Sequence, residues 1–155
     1  MAAPSVPLPD GCTLRHAETD SDLRACFRVM HQLRPQLAGE GDFLARLQRM
    51  RADRYRLLAA WNRDTVLSLA GYRLQENLVY GRFLYVDDLV TDTQARGSRW
   101  GARLLESLTA VAVEAGCACL VLDTALSNAQ AQRFYFREGL LTGALRFKKP
   151  LGAGK

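Results

Sequence analysis

Residues 92–105 read DTQARGSRWGARLL and carry the end of an apolar, strand-like run through a glycine-containing turn directly into a helix. A helix that begins this abruptly gathers free backbone N–H groups and the positive end of its dipole at one point, which makes the junction a natural anion site. Gly97 and Gly101 let the backbone approach an anion closely, and Arg96, Arg99 and Arg103 add charge at the same end. The plainer alternative is a loop whose glycines only permit a turn. Two nucleotide patterns are excluded: no Lys-Ser or Lys-Thr follows the glycines as a P-loop requires, and no Gly-x-Gly-x-x-Gly is present.

Downstream, Leu104, Leu108, Val111 and Ala115 recur at helical spacing over 98–115, with Gly116 placed to end the helix. The apolar ACLVLDT predicts a buried strand. Ser127 and Gln130 then have capping-box spacing at the start of a short helix ending at Gly139, and LLTGALRFKK predicts one last strand. Upstream, CTLRHA predicts a first strand, and Thr19 with Asp22 a capping box. Leu23, Cys26, Phe27, Met30 and Leu33 form one apolar stripe up to the Pro35 region, and a second helix is expected from about Glu40 to Ala52. YRLLAAW, TVLSLAGYRLQ and RFLYVDDLVT, separated by tight turns, predict an antiparallel meander. The fold class is therefore α/β: a mixed central sheet with a meander followed by helix, strand, helix, strand.

A chain of 155 residues is one domain's worth and buries about 70% of its unfolded surface. The expected organisation is a flexible lead-in over 1–11, a single domain over 12–150 and a short tail over 151–155. No uncharged stretch approaches the roughly 20 residues of a membrane span, and MAAPSVPLPDG lacks the layout of a secretory signal, so a cytoplasmic protein is expected. The 21 Lys and Arg against 16 Asp and Glu leave a net charge of +5, with lysine only at Lys148, Lys149 and Lys155. Arginine suits phosphate, but a coding bias toward Arg gives the same count. Helix-turn-helix spacing and basic repeats interleaved with aromatics are missing, which argues against nucleic acid. Cys12, Cys26, Cys117 and Cys119 lack structural zinc spacing and read as reduced structural thiols, so no metal is expected.

With these elements in place, Arg96-Gly97-Ser98-Arg99-Trp100-Gly101 resembles the pyrophosphate-binding motif Arg/Gln-x-x-Gly-x-Gly/Ala of the GNAT superfamily of acyl-CoA-dependent N-acetyltransferases, with Arg99 standing where that family usually has its first glycine. A second segment, from Asn128 through Ala131, Phe134 and Tyr135 to Gly139 and Leu140, is similar to the family's Asn-x-x-Ala-x-x-Phe/Leu-Tyr-x-x-x-Gly-Phe. One helix and one strand separate the two, as in the family. The resemblance covers roughly residues 12 to 149 and implies a GNAT acyltransferase fold with acetyl-CoA as cosubstrate. It implies cofactor contacts from Arg96, Gly97, Ser98, Arg99, Trp100, Gly101 and Ala102, from Asn128, Ala131 and Phe134, and from the backbone of Leu89, Val90 and Thr91 beside the pantetheine arm. Dimers are common in the family, so it also implies a homodimer.

Amine acylation poses two proton problems: an acceptor amine with a pKa of about 10 must become neutral, and a thiolate must leave. Tyr135 is the candidate acid by its motif position, with Phe134 and Phe136 read as packing. Asp87 and Asp88 sit side by side in an apolar strand, where alternation sends one carboxylate to each face. Each either meets one of the many arginines or lines a cleft. An acidic pair in the family's polyamine-acetylating branch ranks Asp87 above Asp88 as the base. His16 and His31 are the residue types most often used as bases, but His16 falls in the first strand, far from either motif, and His31 on the first helix reads first as a surface or satisfied core histidine, with reach to an acceptor pocket as its alternative. Glu76, Tyr80 and Arg82 sit around the meander loop, and Trp61 and Trp100 read as packing, with Trp100 also placed to cover a cofactor. The expected reaction is acetyl transfer to the primary amine of a small cationic acceptor by direct attack. Two alternatives are a protein lysine or N-terminal acetyltransferase, and a non-catalytic acyl-CoA-binding or nucleic-acid-binding module.

Overall fold

In the computed structural model, which describes residues 6–8 and 11–152, the chain divides into two compact units, Met1–Leu122 and Asp123–Lys155, each described here by itself. The first unit runs β1 (Val6–Pro7), β2 (Thr13–His16), α1 (Asp20–Leu33), α2 (Glu40–Arg51), β3 (Arg56–Asn62), β4 (Thr65–Asn77), β5 (Gly81–Thr91), a 3-10 turn (Thr93–Ala95), α3 (Trp100–Glu114) and β6 (Cys119–Leu122). The strands form one sheet in chain order, antiparallel from β1 to β5, with β6 added parallel to β5. The last pairing is parallel because α3 intervenes: a helical crossover returns the chain in the direction it left, whereas a tight turn reverses it.

Alternation along the strands divides the core in two. Leu57, Trp61 and Leu69 pack with Leu23, Cys26, Val29 and Met30 of α1 and Phe43 and Leu47 of α2. Leu58, Ala60, Ala70, Tyr72, Leu84 and Val86 pack with Trp100, Leu104, Leu108 and Ala112 of α3. The sheet is thus covered by helices on both faces, which is why the central strands read as nearly continuous apolar runs. Local signals agree with these elements. Thr19 Oγ1 accepts from the Asp22 N–H at 3.1 Å while Asp22 Oδ2 accepts from the Thr19 N–H at 3.3 Å, closing the expected capping box of α1. Gly116, at φ +71°, ends α3.

Three expectations are corrected. Part of the lead-in is ordered, since Val6 and Pro7 pair with Leu14 and Thr13; residues 1–5 and 9–10 of that segment, like 153–155 of the tail, lie outside the described residues. The short helix of the second unit, α4 (Ala129–Arg137), is capped by Asn128 rather than Ser127: the Asn128 side chain accepts from the Ala131 N–H at 3.1 Å. The last strand is not formed. LLTGALRFKK has the alternation of a strand, but that pattern needs a ladder partner, and here Leu141 and Phe147 are both 88% exposed. Among the described residues no helix is long and apolar enough to cross a membrane, and no group of His, Cys, Asp and Glu is arranged to hold a metal ion.

Candidate active site

The site begins with a fault in the β4–β5 ladder. Gly71 pairs with Asp88 and the next residue, Tyr72, pairs with Val86, so Asp87 is an extra residue bulged out of register. A bulge breaks the alternation of side chains. Instead of pointing to opposite faces, as strict alternation predicts, Asp87 and Asp88 both turn their carboxylates toward the α1 and α2 side. Asp88 Oδ1 accepts from Arg34 Nε at 2.8 Å and Oδ2 from the Tyr55 hydroxyl at 2.7 Å. Asp87 takes both arms of Arg73, at 3.0 and 2.7 Å, and its main-chain carbonyl accepts from Arg34 at 2.9 Å.

Gly71 makes room for this cluster. A Cβ there would lie 1.8 Å from the Tyr55 hydroxyl oxygen and 2.7 Å from Asp88 Oδ2. Only a residue without a side chain allows the Tyr55 hydroxyl to reach across the strand. Burial pushes the Asp87 carboxyl above the ordinary value, with the Arg73 guanidinium acting in the opposite sense and the neighbouring Asp88 adding to the rise. Burial, reinforced by Asp88, holds the Tyr55 phenol protonated, so it serves as a hydrogen-bond donor. Tyr55, Arg34, Arg73 and Gly71 were not singled out by sequence reasoning; an isolated glycine within a strand pattern is the signal that pointed to a bulge or close approach.

Beyond the bulge β5 parts from β6. Their ladder joins only Phe83–Val86 to Cys119–Leu122, whereas Leu89, Val90 and Thr91 continue against Ala70, Leu69 and Ser68 of β4. The Asp92 N–H donates to the Leu67 carbonyl at 2.8 Å, which fixes the phase of the antiparallel pairing. By alternation the main-chain groups of Leu89 and Thr91 point to the other edge, where they have no strand among the described residues. Asp92 is buried and fastens this end of β5 to α1, accepting from Arg28 at 2.6 Å and Gln32 at 3.2 Å and capping the 3-10 turn through the Gln94 N–H.

The glycine turn follows. Gly97 has φ +90°, and Arg99, the residue before α3, is left-handed at φ 59°, ψ 27°. That conformation explains why the related motif carries glycine there, and an L-residue in it costs about 1–2 kcal/mol. The first backbone bond of α3 runs from the Arg103 N–H to the Arg99 carbonyl at 3.0 Å, so the amides of Trp100, Gly101 and Ala102 are left without helical acceptors. Arg103 lies over the Trp100 ring, 4.9 Å from its centroid, and its Nη1 is buried without a hydrogen-bond partner among the described residues. These features fit a diphosphate: unpaired amides and an orphaned guanidinium nitrogen at one helix end. The Trp100 side chain is itself buried in the core with Leu104 and Leu108, so only its main chain faces the turn; the cofactor-cover reading is corrected.

His16 is a core residue. Its Nε2 meets the Tyr72 hydroxyl at 2.8 Å, its Nδ1 is buried with no hydrogen-bond partner among the described residues, and burial, with Arg56 second, lowers its pKa to about 4. His31 is exposed on α1, its ring beside Phe27. In the second unit, Tyr135 and Phe134 of α4 are half-buried with tilted rings 5.3 Å apart, and burial raises the Tyr135 phenol. Phe136, expected to pack, is 55% exposed. Asn128, expected to contact the cofactor, spends its side-chain oxygen on capping α4.

Known proteins resemble this chain in sequence and in fold. The chain is 28% identical over 130 residues to the uncharacterized N-acetyltransferase YhdJ of Bacillus subtilis, covering 81% of this chain and 89% of that protein. It is 29% identical over 147 residues to the aminoalkylphosphonate N-acetyltransferase of Salmonella typhimurium, covering 90% and 92%. The fold is similar to that of the aminoglycoside N-acetyltransferase AAC(6')-Iy solved in complex with CoA, with a TM-score of 0.78 at 16% identity over 93% of this chain and 99% of that one. The sequence pattern of the acetyltransferase (GNAT) family matches residues 17–139, most of the chain, with the first signature segment and the second as far as Gly139, so this protein belongs to that family and is an acetyl-CoA-dependent N-acetyltransferase.

Proposed function

We propose that this enzyme acetylates the primary amine of a small molecule by direct attack, with the bulge carboxylates on the acceptor side. The observation that carries the reading is the bulge itself: it gathers Asp87 and Asp88 on one face next to the point where β5 leaves β6. Asp87 is the better base. Both carboxylates are paired, Asp87 with Arg73 and Asp88 with Arg34 and Tyr55, and burial makes Asp87 a stronger proton acceptor than an ordinary carboxylate. Asp87, directly or through water, takes the proton of the acceptor ammonium, and the freed nitrogen lone pair attacks the thioester carbonyl carbon. The N–H groups of Leu89 and Thr91 on the free edge supply donors for the pantetheine arm and for the oxygen on which charge develops. Tyr135, by its motif position, gives its proton to the departing sulfur as the carbon–sulfur bond breaks. The acylated nitrogen still carries one proton too many and loses it through water to the Tyr135 phenolate, while Asp87 releases its own proton to solvent, so one proton is freed for each ammonium acetylated.

The diphosphate falls to the amides of Trp100, Gly101 and Ala102 with Arg96, Gly97, Ser98, Arg99 and Arg103 around them, and Ala131 and Phe134 follow from the second motif. The Salmonella relative is named for acetyl transfer to an aminoalkylphosphonate, which supports a small-molecule amine as acceptor. The test is release of free thiol from acetyl-CoA against a panel of small amines and a lysine peptide. Turnover with small amines is expected. Turnover confined to the peptide supports a protein acetyltransferase instead, and tight CoA binding without turnover supports a non-catalytic module.

A further inference from the structure

The two bulge carboxylates do not present a bare negative surface. Asp87 and Asp88 are matched by Arg73 and Arg34, so the formal charge of the cluster is zero. The pairs are also layered. The side chain of Arg34 is 40% exposed against 11% for Asp88, and that of Arg73 is 26% exposed against 15% for Asp87. In each pair the arginine side chain is the more exposed member. Arg73 is further held by the Tyr85 ring, 5.7 Å away, and feels the charge of Asp53.

This layering selects among acceptors. A diamine would bring its second positive charge against the two more exposed arginines, and like charges at such range are repelled. A simple alkylamine would be attracted by the carboxylates but would leave the arginines as they are. A molecule with an ammonium and an anion a short spacer apart can exchange both partners at once, its ammonium going to a carboxylate and its anion to the guanidinium that carboxylate gives up. A planar guanidinium is the side chain best matched to a carboxylate or phosphonate, which it can hold by two parallel bonds.

We infer that the acceptor is a short zwitterionic amine, an aminocarboxylate or aminophosphonate, whose anionic end is bound by Arg73 and Arg34 while its ammonium is held at Asp87. The inference rests on the acceptor site proposed above. It replaces the expectation of a purely cationic acceptor, which follows from the two aspartates when their arginine partners are not seen.

The experiment is steady-state thiol release with four acceptors that share an N–C–C backbone and differ at the far end: 2-aminoethylphosphonate, β-alanine, propylamine and 1,3-diaminopropane. For the wild-type enzyme, kcat/KM for one or both zwitterions should exceed that for propylamine by at least tenfold, with 1,3-diaminopropane no better than propylamine. Arg73→Gln should collapse the ratio of zwitterion to propylamine, and Arg73→Lys, which keeps the charge, should recover part of it. A common fall in all rates would leave the ratio unmoved and would overturn the role of Arg73. Preference for 1,3-diaminopropane would overturn the zwitterion while leaving small-amine acetylation intact. Absence of turnover with every amine tried, despite CoA binding by calorimetry, would overturn both.

Discussion

Gly71 and Tyr55 form a tight side-chain constraint at Asp88, beside the proposed base Asp87. Gly71→Ala forces its new Cβ into the Tyr55 hydroxyl, a buried ring that can move only by breaking its bond to Asp88. The expected loss is about 1–3 kcal/mol of stability, the usual range for overpacking a filled site. Chemical denaturation of Gly71→Ala, Tyr55→Phe and the double variant measures it. The two changes should be only partly non-additive: Tyr55→Phe removes the hydroxyl oxygen at 1.8 Å, but the ring carbon at 2.4 Å and Asp88 Oδ2 at 2.7 Å still meet the added methyl group. His16 gives a second residue-scale prediction. Its folded pKa of about 4 lies below the ordinary 6.5, so its contribution to stability is present above pH 6.5 and is lost as pH falls toward 4. The displacement corresponds to roughly 3 kcal/mol at most. His16→Gln, which can still bond the Tyr72 hydroxyl, should flatten the stability profile between pH 6.5 and 4; an unchanged slope relative to wild type contradicts the buried neutral imidazole.

At the scale of elements, the turn into α3 carries a strain that its sequence need not have. Arg99 is one of three arginines with positive φ, beside Arg54 and Arg63, and it stands at the glycine position of the pyrophosphate motif that this segment resembles. Arg99→Gly relieves about 1–2 kcal/mol of left-handed strain. Glycine returns roughly 0.4–1 kcal/mol of that through the freer unfolded chain. A net gain of about 0.5–1 kcal/mol is expected, read as a higher denaturation midpoint with an unchanged m-value; a lower midpoint would mean that the Arg99 side chain stabilises the turn by more than its backbone costs. Elements set by nearby residues were legible in the sequence: the Thr19–Asp22 capping box, the Leu104–Leu108 stripe of α3 and the short Asn62-Arg63-Asp64 turn between YRLLAAW and TVLSLAGYRLQ. The bulge was not. Its position depends on how β4 and β5 slide against one another, and that register is set by Gly71 and Tyr55, outside the strand that carries the aspartates. The same holds for LLTGALRFKK, whose alternation is local while the ladder a strand needs is not. Ser127 and Asn128 are equivalent caps in composition, and only the backbone geometry selects Asn128.

For the whole molecule, the two signature segments identified the reaction class, and the surroundings of the aspartates refine the picture of the acceptor. Both carboxylates were named from sequence, but their arginines come from the end of α1 and from β4, distant in the chain and close only when folded. Asp87 is the group proposed to receive the acceptor's proton, while cofactor binding belongs to the α3 turn, so the two should separate experimentally. The most direct measurement is the single-turnover rate of acetyl transfer by Asp87→Asn at saturating acetyl-CoA across pH, with CoA affinity followed by calorimetry on the same folded protein. The expected result is a rate at least tenfold lower, a changed pH profile and a CoA affinity within about twofold of wild type, in line with the loss typical of a general base. A single-turnover rate and pH profile equal to wild type would contradict that role and leave Asp87 as the partner of Arg73 alone.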